Sequence, residues 1–236
     1  MSLTVSKTRL QHRRARQRSR AGALVAVVCL TALAAFGLSN AAHAASTTLT
    51  ELNAVLHRQP DTMHGEIAFS TCATCHGRDG SGVRDGSVPA IAGQLFSVVA
   101  RELVDYRHDK RWDLRMQQFS NEHYLPGPQD IADIAAYISE LPPVALASFG
   151  DGEDLEHGAQ TFARLCTGCH GKTGQGDAAA GVPKLAGQHY RYLLRQMHDA
   201  IEGRRPNFSP EHRQLLERFE RADFMGVADY LSRLPP

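Results

Sequence analysis

Beyond an opening basic and apolar block, apolar positions recur every three to four residues, and they do so in two similar halves. In the first half Leu95, Val98, Val99, Leu103 and Tyr106 form one stripe, which predicts a helix over 94–107. A second stripe, Ile131, Ile134, Ala135, Ile138 and Leu141, stops at Pro142-Pro143. The second half repeats both: Tyr190, Leu193, Leu194 and Met197, then Phe224, Val227, Ala228, Leu231 and Leu234 ahead of Pro235-Pro236. A leading helix is predicted from about Gly65 into Cys72, and its counterpart from about Leu155 into Cys166. Glycine-rich loops follow each, with Gly77, Gly80, Gly82 and Gly86 in one and Gly171, Gly174, Gly176 and Gly181 in the other, which permit tight backbone turns. Strand alternation runs over no useful length, so the predicted fold is all-α.

The halves are copies. Cys72 to Gln94 aligns with Cys166 to Gln188 at a constant offset of 94 without a gap, and eleven of the twenty-three positions agree. The copies also end alike, Tyr137-Ile-Ser-Glu-Leu-Pro-Pro143 against Tyr230-Leu-Ser-Arg-Leu-Pro-Pro236. Two copies fall short of the three or more that a solenoid needs, so they are read as two domains, 45–143 and 153–236, joined by a linker over 144–152. Each is small for an apolar core that must stand alone.

The first twenty residues carry seven basic side chains and no acid, an apolar run follows from Ala21 to about Leu38, and Ala42-His43-Ala44 supplies small residues at a cut site. Residues 1–44 therefore read as an export signal removed after Ala44, giving a periplasmic protein; a retained anchor is the alternative, since the run is near the shortest length that spans a bilayer. Cys29 leaves with the signal. The remaining chain has nineteen basic residues against twenty-five acidic ones, a net charge of −6, which speaks against a nucleic-acid surface. Such charge suits an acidic carrier that docks on basic patches of larger partners.

The four remaining cysteines all lie in two Cys-x-x-Cys-His pentads, Cys72, Cys75 and His76, then Cys166, Cys169 and His170, leaving none for a structural disulfide. This pentad is the usual attachment site of a c-type haem: each thiol adds to a vinyl group and the histidine lies beneath the iron as the proximal ligand. Two covalently bound haem c groups are expected. The competing readings explain less, because a structural zinc needs four ligands and a redox dithiol has no use for the trailing histidine. No carboxylate pair, Ser-His-Asp order or phosphate-binding loop suggests independent catalysis.

With its duplicated Cys-x-x-Cys-His-Gly, the Val-Pro-x-Ile/Leu-Ala-Gly-Gln segment and the Tyr-x-Ser-x-Leu-Pro-Pro ends, the chain resembles the periplasmic dihaem class I cytochromes c known as the c-four type. The resemblance implies two tandem class I cytochrome c domains and a soluble electron carrier, not an enzyme. Its partners would be membrane respiratory complexes, typically a quinol-oxidising cytochrome bc complex and a terminal oxidase. A cytochrome subunit of a periplasmic dehydrogenase complex is the alternative, and peripheral association with the membrane fits either. The resemblance also implies that the carbonyls of Pro89 and Pro183 accept from the other ring nitrogen of His76 and His170; plain turn prolines are the alternative.

In that family the sixth iron ligand is a methionine from the irregular segment before the last helix, and Met116 is the only methionine between the pentad and the end of the first half; a gap-filling core methionine is the alternative. The second half departs from the pattern, because Met116 falls opposite Ser209 or Pro210. His212 is the nearest candidate, against an exposed role behind a Ser209 cap with Pro210 in the first helical position. An open site binding a small gas or peroxide, and a displaced Met197 or Met225, both of which look like core, remain alternatives; His189 and His198 on the middle helix are weaker. Porphyrin would supply much of the apolar surface that each half lacks. Haem-free protein is therefore expected to melt broadly and without cooperativity, as read by calorimetry.

Overall fold

The computed structural model describes residues 47–145 and 148–236; the predicted signal, its cut after Ala44 and Cys29 lie outside the described residues. Ten helices are described: α1 (residues 47–56), α2 (Thr62–His76), α3 (Phe96–Arg107), α4 (Leu114–Phe119), α5 (Pro128–Glu140), α6 (Leu155–Leu165), α7 (Thr167–His170), α8 (Tyr190–Ile201), α9 (Pro210–Leu216) and α10 (Arg221–Arg233). Among the described residues there is no strand, only a lone bridge between Asp177 and Val182. No described helix is long and apolar enough to cross a membrane.

Each half is organised by a crossing of its first and last helices, α2 on α5 and α6 on α10. The crossings are backbone to backbone. A Cβ on Gly65 would stand 2.2 Å from the Asp133 carbonyl oxygen, and one on Gly158 would stand 2.0 Å from the Gly226 carbonyl, so only glycine lets these helices meet. One turn further on, Phe69 packs against Tyr137 with ring centres 5.3 Å apart, and Phe162 against Tyr230 at 5.7 Å. These pairs are related by an offset of 93, one less than the pentads, because Phe162 and Cys166 enclose one residue more than Phe69 and Cys72. α2 runs unbroken through its pentad to His76, four residues past the predicted end, whereas the extra residue ends α6 at Leu165 and restarts the chain as α7.

A buried aspartate on each closing helix ties down the segment that enters the first helix. Asp133 accepts from the Asp61 amide at 2.8 Å, His64 at 2.7 Å and Gln129 at 2.7 Å. Asp229 accepts from the amides of Gly150 and Gly152 at 2.9 and 2.8 Å and from Arg233 at 2.7 Å, anchoring the approach to α6. Among the described residues α1 has no counterpart in the second half. It buries Leu52 and Val55 in the first core, while Glu51 pairs with Arg107 and His108 at the end of α3.

The two halves meet through an exchange of glutamine side chains. Gln94 donates to the Lys184 carbonyl and accepts from the Lys184 amide, both at 3.0 Å. Gln188, its equivalent at the offset of 94, does the same with Ala90 at 2.8 and 3.1 Å. Each side-chain amide thus pairs like an added strand residue with the backbone ahead of the other half's Ala-Gly-Gln segment. Alongside lies a buried polar cluster: Glu102 pairs with Arg111 of its own half and with Arg205 of the other at 2.9 Å, and Arg111 also donates to Tyr192 and Gln196 at 2.6 Å. Arg111 and Arg205 are themselves related by the same offset. Burial drives the Glu102 carboxyl upward, but the two guanidinium groups more than offset this and hold it below the ordinary glutamate range.

Two outcomes test this architecture. Gly158→Ala must force α6 away from α10 and is expected to cost about 1–3 kcal/mol or more, measured by urea unfolding. Arg111→Leu leaves Glu102 buried with one cation and strips Tyr192 of its donor, with Gln196 left only the bond from Arg205, and is expected to cost roughly 3–5 kcal/mol in the same measurement.

Candidate functional site

A single cavity of about 1040 Å3 runs through both halves, and both pentads lie on its wall. α2 brings Cys72, Cys75 and His76 to it in one turn; the second pentad reaches it across the break between α6 and α7. The four cysteines are free thiols, with Cys75 and Cys169 exposed and Cys72 and Cys166 half-buried. Burial pushes the thiols of Cys72 and Cys166 up to about 11. Among the described residues no three His, Cys, Asp or Glu side chains converge in the arrangement that a metal ion held by side chains alone would need.

Both pentad histidines are buried and set in the same way. His76 Nδ1 stands 3.1 Å from the Pro89 carbonyl oxygen, and His170 Nδ1 stands 3.1 Å from that of Pro183. Donation from Nδ1 fixes the tautomer, fixes the ring plane and leaves Nε2 with its lone pair free. Burial holds both imidazoles below the ordinary histidine range, with the carbonyl bonds opposing it in part, so both rings are neutral at pH 7. The loops that carry the two prolines close tightly under the pentads. Gly82 and Gly176 have φ of 72° and 76° and donate to the carbonyls of His76 and His170, while a Cβ on either would strike the backbone at 89 or 182.

Met116 also lies on the cavity wall, against the first core. The segment around it, expected to be irregular, is the short helix α4, because Asp113 caps it by accepting from the amides of Arg115 and Met116. Arg107 braces its far end through the carbonyls of Ser120 and Leu125, at 2.8 and 2.5 Å.

In the second half Ser209 caps α9 as its sequence foretells, yet His212 is not a solvent-facing residue. Its ring lines the cavity, 6.1 Å from His170 centre to centre and stacked on Phe208 at 4.5 Å. Burial, with His170 and Arg205 nearby, pushes its pKa down to about 4. Met197 shares the wall but is packed among Leu216, Phe219 and Phe224. Met225, expected in the core, lies off the cavity with its sulfur 3.3 Å from Arg221. His189 is taken up by the Ser81 carbonyl and the Ser148 amide, and His198 stacks on Phe224; neither reaches the wall.

The polar cluster of Arg111, Glu102 and Arg205 forms the cavity wall where the two halves join, and Arg205 Nε is buried there without an acceptor. These arginines could not have been singled out from the sequence, since only the seam between the halves buries them. A large apolar slot with neutral imidazoles, adjacent thiols and unspent cationic donors fits a porphyrin with its two carboxylates.

Comparison with known proteins agrees. The family model described as Cytochrome c matches residues 63–142 and again 155–234. Cytochrome c4 of Pseudomonas aeruginosa is 31% identical over 191 residues, covering 78% of this chain and 93% of its own. The thiosulfate dehydrogenase electron acceptor of Stutzerimonas stutzeri is 29% identical over 71% of this chain and 80% of its own. Among solved structures, reduced recombinant cytochrome c4 from Pseudomonas stutzeri superposes with a TM-score of 0.66 at 28% identity, covering 75% of this chain and all of that one. With both halves matched and both pentads set on one cavity, the chain belongs to the cytochrome c family, as two tandem domains carrying two covalently bound haem c groups.

Proposed function

We propose that this dihaem electron carrier moves electrons in the periplasm between membrane respiratory complexes, from a quinol-oxidising cytochrome bc complex to a terminal oxidase. Cys72 and Cys75 would anchor the first haem and Cys166 and Cys169 the second, through thioether bonds. His76 and His170, with Nε2 left free, would hold the two irons, and the Met116 sulfur would hold the first iron as well. Bound iron supplies a one-electron couple; the chain sets its potential and excludes water. Arg111, Arg205 and Tyr192, at the seam, are placed to receive the haem carboxylates, which would supply the acceptor that Arg205 Nε lacks. The observation that carries the reading is the continuous cavity with both proline-held histidines on its wall. Because the two slots are joined, electrons can pass from one haem to the other inside the protein.

A second reading has one dedicated dehydrogenase as the donor. It is favoured by the likeness to the thiosulfate dehydrogenase electron acceptor and to the solved thiosulfate dehydrogenase of Marichromatium purpuratum, 26% identical with a TM-score of 0.65, of which this chain covers 40%. Stopped-flow reduction separates the two: fast reduction by quinol-fed bc complex supports the first reading, and reduction by a thiosulfate dehydrogenase alone supports the second.

The purified protein is expected to weigh two haems more than its polypeptide and to show a reduced alpha band. Met116→Ala should make the first haem high-spin and able to bind carbon monoxide, and Met116→His should lower only that haem's potential, as read by spectral redox titration.

A further inference from the structure

The second half has no methionine where the first has Met116, and its distal wall is built differently. α3 ends in Arg107, which braces the Met116 helix by hydrogen bonds; the equivalent position of α8 is Ile201, whose apolar side chain packs in the cluster of Ala200, Leu216 and Phe224 instead. In place of that brace, Pro210 and the Ser209 cap start α9, with the Ser209 hydroxyl accepting from the His212 amide at 3.2 Å, and Leu216 anchors the helix in the core. His212 is thereby held in the first turn and its ring against Phe208, whose other neighbour is the Arg205 guanidinium, 4.4 Å from the ring centre. Among the described residues neither ring nitrogen of His212 has a hydrogen-bond partner, although the residue is half-buried and its ring lines the cavity.

Resting on the dihaem reading above, we infer that His212 is the sixth ligand of the second iron, opposite His170, so that the protein pairs a histidine–methionine haem with a bis-histidine haem. The spacing matches the chemistry. A metal held between two imidazoles by bonds of about 2 Å, with each ring centre roughly 1 Å beyond its nitrogen, separates the ring centres by about 6 Å. The observed separation is 6.1 Å. The other donors of this half are spent: Met197 fills the core position that Leu103 fills in the first half, Met225 is off the cavity, and His189 and His198 are engaged elsewhere. Methionine raises the potential of a haem and a second imidazole does not, so the second haem is the lower one. Electrons therefore enter at the second domain and leave from the first, which gives the carrier a direction.

Low-temperature paramagnetic resonance of the oxidised, full-length holoprotein tests this without any variant. Two low-spin signals are expected, one of the histidine–methionine and one of the bis-histidine type, with the bis-histidine haem reduced last in a redox titration. Carbon monoxide should leave the reduced wild type unchanged, bind one haem in His212→Ala, and find a raised second potential in His212→Met. Two histidine–methionine signals, a high-spin signal in the wild type, or a second haem at the higher potential would overturn the assignment. None of these would touch the haem reading, which fails only if the thioether-bonded chromophore itself is missing.

Discussion

The hydrogen bond from each pentad histidine to a proline carbonyl thirteen residues later is the contact on which the rest of the structure turns. An imidazole on a cavity wall is free to rotate and to exchange tautomers unless one nitrogen is spoken for. Tying Nδ1 to the backbone removes both freedoms, and it also forces the intervening loop to fold back beneath the helix end. That return is possible only because glycine occupies positions 82 and 176, where the chain turns with positive φ against the backbone before the proline. Histidine, loop and cavity floor are therefore one device, made twice.

Around this device each half does little more than close a ring of helices. The first and last helices meet backbone to backbone at Gly65 and Gly158, the middle helix supplies an apolar wall, and a buried aspartate staples the incoming chain. The space enclosed is too large for the side chains available to fill. Domains of this size bury a modest share of their surface, and a covalently held porphyrin completes the core while it serves as the redox centre. Stability and function thus rest on the same bound group.

Duplication made the interface as well as the second site. Gln94 and Gln188 belong to the same repeated Ala-Gly-Gln element, and each reaches the backbone of the other copy, so one motif supplies both sides of a two-fold-like contact. The symmetry fails at the distal walls. Arg107 and Met116 in one half are replaced by Ile201 and the Ser209-capped His212 segment in the other, and two equivalent slots become two different environments. Directional transfer needs such a difference, because two identical haems would share an electron evenly.

Much of this was legible in the residues. The helical stripes, the pentads, the offset of 94 and the missing second methionine are local or periodic signals, and backbone geometry turns such signals directly into helices and ligand positions. α2 outruns its predicted span of Gly65 to Cys72 at both ends because the pentad interrupts its apolar period, whereas α6 keeps to its own; α1 is not among the predicted helices although Leu49, Leu52, Val55 and Leu56 mark one face. The environment of His212 was not legible. A capped first turn looks the same whether its side chain meets water or a cavity, and only the stacking of His212 on Phe208 and the burial of Leu216 at the other end of α9 decide which. The Arg111–Glu102–Arg205 cluster was likewise invisible, since charged residues on separate helices read as solvated until two domains dock over them. The amino-acid order by itself determined the elements, the repeat and the chemistry of the pentads, because these depend on neighbours within a few residues; the seam, the joined cavity and the surroundings of His212 were decided by tertiary structure, because they depend on residues some forty to a hundred positions apart meeting in space.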